Sequence, residues 1–263
     1  MDATRPLSEI VDNRRWRRRL KPFPHFVVPN LFVPSVAEEI EKAARKIIDG
    51  EGMDVIARYD ASGWGFPSDI DWPLRLFVTE EWCDLVSRAV GVDTVPYVSA
   101  GLHHHDVGGE NGRPHNDLNP VYFADVDPRD GMVSLRGDLV DLKSGRRLQE
   151  NMPVIRHVRA VSILYYTANP PWHRGDGGQT GLYERRSDRT DQPAATVAPV
   201  NNTLLAFECT PNSFHSFISN RVSERNSVTM WLYRSDRAAV TRWGEGTLER
   251  WQESPPPAEA VET

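Results

Sequence analysis

Cysteine is scarce in this sequence, and histidine is not. The 263 residues include two cysteines, Cys83 and Cys209, and eight histidines. Two cysteines are too few for a disulfide framework or a zinc ribbon. A metal site in this chain would therefore have to use histidine and carboxylate ligands.

Long apolar runs are also missing. No stretch approaches the roughly 18 consecutive apolar residues that a membrane-spanning helix needs. The first residues lack the apolar segment and the small-residue cleavage site of a secretory signal. The hydrophobic fraction of 39% is nevertheless sufficient for a core, so we expect a folded cytoplasmic protein.

Positive charge is in deficit over the chain as a whole. The sequence has 31 Lys and Arg against 37 Asp and Glu, a net charge of −6, which gives no general attraction to nucleic acid or to anionic membranes. The exception is a basic cluster near the N-terminus, formed by Arg14, Arg15, Arg17, Arg18, Arg19 and Lys21. We interpret residues 1–21 as a solvated or docking arm rather than a nucleic-acid patch.

Helical periodicity is confined to the N-terminal part. One predicted helix begins near Pro34 and ends at Gly50, and a second begins after Thr79 as N-cap and ends at Gly91. From residue 95 onward the pattern changes to short β-like runs separated by turn residues. These runs are 95–99, 121–124, 161–167, 204–208 and 228–233. Strands without intervening helices favour an antiparallel sandwich or jelly roll over a doubly wound α/β fold.

These patterns predict a single, mainly β domain with flanking helices over residues 22–251. Residues 125–157 are polar and rich in turn pairs, which indicates an insertion that shapes a binding site. Residues 252–263 contain three consecutive prolines and no large apolar residue before Val261. This composition predicts a disordered tail.

Three residues form the candidate metal site. His115 and Asp117 are two positions apart, so an extended segment projects both side chains to one face. His215 lies 100 residues later, after the predicted strand 204–208. Two histidines and one carboxylate on one face, with the other positions open, form the arrangement of non-haem Fe(II) oxygenases.

A basic pair follows the distal histidine. Arg225 lies ten positions after His215, and Ser227 shares its face on a predicted strand. A guanidinium and a hydroxyl side by side can bind one carboxylate. The pair therefore suits a dicarboxylic acid whose other end is bound at the metal.

Taken together, His115-x-Asp117, the distal His215 and Arg225-x-Ser227 resemble the 2-oxoglutarate and Fe(II)-dependent dioxygenases, especially the branch that is similar to prolyl 4-hydroxylase. Further similar stretches lie within 22–28, 164–183 and 199–215, so the resemblance covers roughly residues 22–235.

The resemblance implies a double-stranded β-helix that holds Fe(II) through the two histidines and Asp117. It also implies 2-oxoglutarate and O2 as cosubstrates, with succinate and carbon dioxide released while a substrate C–H bond is oxidised. The halogenating relatives lack the carboxylate ligand, so Asp117 argues against halogenation.

Several assignments stay open at this stage. His104 and Asp106 form a second His-x-Asp pair; we favour His115 because its Pro-His-Asn-Asp context resembles the family motif and leads into a plausible strand. Residues 103–105 face either the cosubstrate or substrate, or form a surface turn.

Tyr165 or its neighbour Tyr166 is expected to hydrogen-bond the cosubstrate, with core packing as the alternative, and Tyr165 is our candidate. Thr229 and Trp231 share the face of Arg225 and either narrow the pocket or pack. Trp172 and His173 are candidate substrate contacts in a loop, and we interpret Cys209 as buried filler.

The leading functional hypothesis is hydroxylation of a small molecule, such as an amino acid or a natural-product intermediate. A protein or peptide hydroxylase is the first alternative. A non-catalytic jelly-roll module that binds a sugar or an organic acid is the second. Metal dependence separates both enzymes from the binding module.

Overall fold

The structure, a computed structural model, describes residues 5–50, 52–56, 61–128, 131–135 and 139–248. The helices of this part are α1 (Leu7–Ile10), α2 (Pro34–Ile48), α3 (Glu80–Val90) and α4 (Asp236–Trp243), with 3₁₀ turns at Leu74–Val78 and Glu245–Thr247. None of these helices is both long and apolar enough to cross a membrane. The predicted disordered tail, residues 252–263, lies outside the described residues.

The strands of the described chain run from β1 to β12. They are β1 (Arg18–Arg19), β2 (His25–Pro29), β3 (Asp54–Ile56), β4 (Ala61–Gly65), β5 (Val95–His105), β6 (Pro120–Ala124), β7 (Val154–Tyr166), β8 (Thr180–Tyr183), β9 (Ala195–Val197), β10 (Thr203–Glu208), β11 (Phe214–Phe217) and β12 (Arg225–Ser235). The mainly β fold with flanking helices, predicted from the sequence, is confirmed.

Two antiparallel sheets face each other. Within the described residues the larger sheet has the order β1-β2-β10-β7-β12-β5-β4-β3, with β6 paired to β7, and the smaller has the order β11-β8-β9. Apolar residues from both sheets pack in the space between them. They are Phe23, Leu164, Tyr166, Leu182, Val197, Leu205 and Phe207. This facing arrangement of sheets is the jelly roll, and its interior is where the candidate site lies.

The opposite face of the larger sheet is covered by α2 and α3. The first helix begins at Pro34, as predicted, and buries Val36, Ile40 and Ala44 at helical spacing. The second begins after Thr79, whose hydroxyl accepts a hydrogen bond from the Trp82 amide, and it ends at Gly91 in the left-handed conformation. These helices form a separate apolar layer that leaves the other sheet face free for polar residues.

The N-terminal arm is docked on this body along the residues that the structure describes. Leu7 and Ile10 are buried, and the ring of Trp16 packs edge-on against Trp82. Strand β1 pairs with β2 through Arg18 and Arg19, whose side chains are exposed. Apolar anchors therefore hold the arm while its arginines face solvent.

The predicted insertion is shorter than the sequence indicated. Residues 154–157, assigned to the insertion, belong to β7, whose first five residues pair with β6. The polar residues of this part of the strand had suggested a loop, but they have structural partners. Arg156 makes an ion pair with Asp236 at 2.8 Å, and the ring of His157 lies 4.6 Å from that of Tyr97.

Candidate active site

The three predicted ligand residues meet at the mouth of the jelly roll. His115, Asp117 and His215 each offer one ligand atom, and these atoms all lie within 4.8 Å of one another. Nε2 of His215 is 3.4 Å from Oδ2 of Asp117, and Nε2 of His115 is 4.0 Å from Oδ1. Residues 100 positions apart in the sequence thus form one compact cluster.

Backbone pairing brings the two histidines together. The amide of His115 donates to the carbonyl of His215 at 3.0 Å, and the reverse hydrogen bond measures 2.9 Å. This single bridge joins the segment after β5 to β11, an edge strand of the smaller sheet. The imidazole rings consequently lie 4.5 Å apart between centroids.

The hydrogen bonds of both rings suit metal binding. Nδ1 of His115 donates to the carbonyl of Arg113 at 2.9 Å, and Nδ1 of His215 donates to the carbonyl of Ser213 at 3.2 Å. A ring whose Nδ1 carries the hydrogen presents a lone pair on Nε2, and metal-binding histidines are usually oriented in this way. Burial and the adjacent His215 lower the pKa of His115 to about 4, so this imidazole is neutral at pH 7.

Asp117 is held as a carboxylate. Its oxygens accept hydrogen bonds from Arg159 Nη1 at 2.8 Å, Ser162 Oγ at 3.0 Å and Trp231 Nε1 at 2.7 Å. Burial by itself would raise the pKa of Asp117, but Arg159 and the histidines outweigh it and hold this pKa well below its usual range. Two imidazoles and one carboxylate fit a divalent ion such as Fe(II).

The alternative His-x-Asp pair has a different position. His104 lies on the outward face of β5, with Nδ1 2.7 Å from Asn226 Oδ1 and Nε2 3.0 Å from Asp106. The Asp106 side chain is 94% exposed. Among the described residues, only the cluster around His115 groups three candidate ligands. Glu224 Oε2 lies 3.8 Å from His104 Nδ1, but no group of three candidate ligands forms around His104 and Asp106 in the described part of the chain.

Arg225 is a buried cation in the barrel interior. The residue is 3% exposed, and Nη2 donates to Thr180 Oγ1 at 3.2 Å. The guanidinium also faces the rings of Tyr166 and Phe217 at 5.3 and 5.7 Å. In the part of the chain that the structure describes, no carboxylate forms an ion pair with Arg225, and its Nε has no hydrogen-bond partner. Burial lowers the pKa of Arg225, so an anionic ligand would offset an unfavourable desolvation.

Ser227 shares the interior face with Arg225. It lies directly opposite His103 on β5 and Tyr166 on β7, and its hydroxyl is 3.3 Å from Thr229 Oγ1. The alternation along β12 thus aligns Arg225, Ser227, Thr229 and Trp231 on one face. Trp231, an open assignment in the sequence, contacts Asp117 directly.

The structure does not bring Tyr165 to the site, which corrects our choice between the two tyrosines. Tyr165 packs against the rings of Phe32 and Phe77, each at 5.3 Å, on the helix-covered face of the sheet. Tyr166 faces the interior, where its hydroxyl lies 2.7 Å from Thr180 Oγ1. Both tyrosines are buried, so the usual alternation of polar and apolar residues could not separate the two faces.

The neighbouring histidines divide between the two faces in the same way. His103 and His105 face the interior, and the ring of His105 stacks on Phe217 at 3.9 Å. Burial, followed by the charges of Arg225 and Arg159, lowers the pKa of His103 to about 4. The surface-turn alternative for this run is therefore wrong, because the run belongs to β5.

The remaining sequence candidates are not among the three clustered ligand residues. Trp172 donates to the carbonyl of Gly177 within its own loop, and the side chain of His173 is 80% exposed. Cys209 is fully buried among apolar residues, which raises the pKa of its thiol well above the usual value.

Sequence reasoning missed Arg159, Ser162 and Thr180 as site residues. Thr180 lay within a stretch that resembled the family, but nothing in the sequence connected it with Arg225. Arg159 lies between the predicted insertion, which ends at residue 157, and the predicted strand 161–167, so no role was predicted for it from the sequence. No local sequence pattern predicts that Arg159 contacts Asp117.

A cavity of about 310 Å³ opens beside these residues. Its lining includes Trp64, His103, Lys143, Arg159, Trp231 and Tyr233. A second cavity of about 450 Å³ shares Gly65, Ser99, Ala100 and Leu142 with the first, so the two adjoin. The first cavity is therefore lined by Arg159 and Trp231, which contact Asp117, and it adjoins a second cavity.

Comparison with known proteins gives a family match over the C-terminal strands. A model of the 2OG-Fe(II) oxygenase superfamily matches residues 142–233. Prolyl 3,4-dihydroxylase OGFOD1 of Ostreococcus tauri is 33% identical over 86 residues, which cover 30% of this chain. The matching segment spans 17% of the length of that relative. His215, Arg225 and Tyr166 lie within the family match, whereas His115 and Asp117 precede it.

Solved structures share the fold over most of the chain. A prolyl-4-hydroxylase from Pseudomonas putida has a TM-score of 0.53 at 16% identity and covers 87% of this chain and 98% of its own. A prolyl hydroxylase from Trichoplax adhaerens, in complex with a hypoxia inducible factor oxygen degradation domain peptide fragment, has a TM-score of 0.51 at 14% identity. The similarity covers 90% of this chain and 92% of the Trichoplax adhaerens chain. The solved structures confirm the jelly roll, and the partial family match agrees with the resemblance stated above.

Proposed function

We propose that this chain is a 2-oxoglutarate and Fe(II)-dependent oxygenase that hydroxylates an unactivated C–H bond of a small molecule. The superfamily model that matches residues 142–233 supports this class. The reaction would use Fe(II) as the cofactor and consume 2-oxoglutarate and O2. Succinate and carbon dioxide would be released. One observation carries this proposal. The cluster of His115, Asp117 and His215 and the buried Arg225 both lie in the interior of the jelly roll.

The protein's part in this reaction is to hold and orient the reactants. Bound iron, with O2 and 2-oxoglutarate, supplies the oxidising chemistry. His115 and His215 would hold it through Nε2, and Asp117 through a carboxylate oxygen. Because the three residues leave other coordination positions open, the cosubstrate has room to chelate the ion.

Arg225 would bind the far carboxylate of 2-oxoglutarate. Its partner Thr180 lies opposite Phe217, two residues along β11 from His215, a separation of roughly 7 Å along an antiparallel strand. A short diacid fits between the cluster and the guanidinium at that separation. Thr180, Tyr166 and Ser227 place hydroxyl groups around the same end, where they can donate to a carboxylate.

A small molecule is supported by the cavity that Arg159 and Trp231, the residues in contact with Asp117, help to line. Its volume of about 310 Å³ is within the range of roughly 300 to 1,000 Å³ that small-molecule sites occupy. Aromatic rings line it, together with Lys143 and Arg159, and none of its described lining residues is acidic. This lining favours a neutral or carboxylate-bearing substrate, such as an amino acid with a blocked amine or a natural-product intermediate, over a cationic one.

A protein or peptide substrate is the second candidate. The adjoining cavity of about 450 Å³ extends the cleft away from the cluster along Phe66 and Pro67, as an extended chain would require. The name of the Ostreococcus tauri relative refers to prolyl dihydroxylation. The Trichoplax adhaerens structure contains a peptide.

Succinate formation tests the enzyme class. The purified protein with Fe(II), 2-oxoglutarate and O2 is expected to form succinate slowly without substrate. His115→Ala, Asp117→Ala and His215→Ala are each expected to abolish it, while His104→Ala, on the outward face, should retain it. Succinate formation that survives all three changes would overturn the proposed ligands, and its absence in the wild type would favour a non-catalytic binding module.

Mass spectrometry then separates the two substrate classes. Carboxylate-bearing metabolites and proline-containing peptides are incubated with the active enzyme and examined for the mass gain of one oxygen atom. We expect the gain in the metabolites. A gain confined to the peptides would replace the small-molecule hypothesis by the second candidate.

A further inference from the structure

Asp117 is contacted from one side by a cation and an indole that also contact each other. Arg159 donates to Oδ1 at 2.8 Å, and Trp231 donates to Oδ2 at 2.7 Å. The guanidinium carbon of Arg159 lies 3.7 Å from the centre of the Trp231 ring. The third donor, Ser162, contacts Oδ2 at 3.0 Å.

A β-bulge makes this arrangement possible. Trp231 is opposite Ser162, Leu232 is opposite Val161, and Tyr233 is opposite Arg159, so Ala160 is the extra residue of β7. Regular alternation would place side chains three positions apart on opposite faces. The extra residue shifts this alternation, and Arg159 and Ser162 therefore both reach Asp117.

The contacts leave Asp117 little freedom. A carboxylate offers about four lone-pair directions to donors or metal ions. Three of them are taken by Arg159, Ser162 and Trp231, so one direction is left for an ion. The side chains of Arg159 and Asp117 are only 11% and 6% exposed, which limits screening of their charges by water.

We propose that Arg159 is a positioning residue that holds Asp117 as a one-oxygen metal ligand and offsets its negative charge. The inference rests on the proposed function, because it takes Asp117 as an iron ligand. The consequence is a metal centre that carries more net positive charge than two histidines and a free carboxylate would give. Such a centre attracts the dianion 2-oxoglutarate more strongly.

The two expected electrostatic effects have opposite signs. A buried cation next to a ligand repels a divalent ion, and the same cation attracts an incoming dianion. Removal of the Arg159 charge should thus tighten metal binding and weaken cosubstrate binding. A purely structural role would weaken both, because a displaced carboxylate binds metal less well.

The test separates charge from hydrogen bonding with two variants. Arg159→Gln keeps an N–H donor near Asp117 but removes the charge, whereas Arg159→Lys keeps the charge but loses the planar fork. Mn(II) binding to each protein is titrated by electron paramagnetic resonance, and 2-oxoglutarate binding to the Mn(II)-loaded protein is measured by calorimetry. For Arg159→Gln we expect Mn(II) to bind about tenfold more tightly and 2-oxoglutarate about tenfold more weakly.

Arg159→Lys should resemble the wild type in both constants. Unchanged constants in Arg159→Gln, or a weakening of both, would overturn the inference. As a second readout, Mn(II) should raise the thermal unfolding midpoint of Arg159→Gln more than that of the wild type, since tighter binding to the folded state gives a larger shift. A smaller shift would count against the inference even if the variant folds poorly.

Failure of the proposed function gives a different result. If the wild-type protein does not bind Mn(II), or if His115→Ala binds it as well as the wild type does, the metal centre itself is wrong. If the wild type binds Mn(II) through His115 and only the Arg159→Gln result disagrees, the proposed metal centre is kept and the proposed role of Arg159 is rejected.

Discussion

Tyr165 and Tyr166 are consecutive residues of β7, and their side chains lie on opposite faces of the larger sheet. Tyr165 donates to Asn202 at 3.2 Å in the helix-covered layer, whereas the Tyr166 hydroxyl is 2.7 Å from Thr180, the residue that also accepts from Arg225. The pair offers a matched experiment in which one chemical change is made on each face.

Tyr166→Phe should raise the 2-oxoglutarate requirement, because it removes a hydroxyl from the group that surrounds Arg225. A net hydrogen bond is worth about 1 kcal/mol, which corresponds to roughly a fivefold change in KM. Tyr165→Phe should leave this KM unchanged and lower the free energy of unfolding by about 1 kcal/mol. Steady-state succinate assays and urea unfolding measure both quantities. An effect on KM from Tyr165→Phe alone would contradict the assignment of faces.

Arg225→Met should nearly eliminate selective binding of the diacid. A buried anion that loses its cationic partner costs about 3 to 5 kcal/mol, so 2-oxoglutarate should bind at least 100-fold more weakly. 2-Oxobutyrate, which has no second carboxylate, serves as the control ligand. Its weak binding should change little between the wild type and the variant, and calorimetry on Mn(II)-loaded protein compares the two ligands. Equal losses of affinity for both ligands would show that Arg225 does not bind the far carboxylate of 2-oxoglutarate.

The two His-x-Asp pairs can be distinguished by metal binding alone. His115→Ala should lose Mn(II) affinity, since it removes one of three ligands that lie within 4.8 Å of one another. His104→Ala should bind Mn(II) like the wild type, because His104 contacts Asn226 and the exposed Asp106 instead. Titration by electron paramagnetic resonance measures both variants. Lost affinity in His104→Ala, with His115→Ala unaffected, would reverse the assignment.

His103 should make the metal-free protein less stable in mild acid. Its pKa is about 4 in the folded protein, against 6.5 for an unperturbed histidine. Between these values the unfolded chain binds a proton that the folded protein excludes, so stability falls as the pH falls through this window. The contribution between pH 7 and pH 5 is about 2 kcal/mol.

Urea unfolding of chelator-treated protein at both pH values measures this contribution. His103→Asn cannot titrate and should show a smaller loss of stability, by about 2 kcal/mol, than the wild type. Because His115 titrates in both proteins, its contribution cancels in the comparison. The same loss in both proteins would mean that His103 does not exclude the proton.

The sequence was sufficient for the local features of the fold and for the ligand types. Pro34, Thr79 and Gly91 mark helix boundaries through capping and backbone preferences, which act within one turn of chain. The spacing of His115 and Asp117, and that of Arg225 and Ser227, follows from the two-residue period of extended chain. Short-range geometry of this kind depends only on residues that are neighbours in the sequence.

Long-range contacts and the choice between sheet faces were decided by the tertiary structure. The bridge between His115 and His215 joins segments 100 residues apart, and the bulge at Ala160 turns Arg159 towards Asp117. Tyr165 and Tyr166 are buried equally, so hydrophobicity could not tell which one faces the interior. Strand register and the packing of both sheet faces determine these contacts, and neither is contained in any short stretch of the chain.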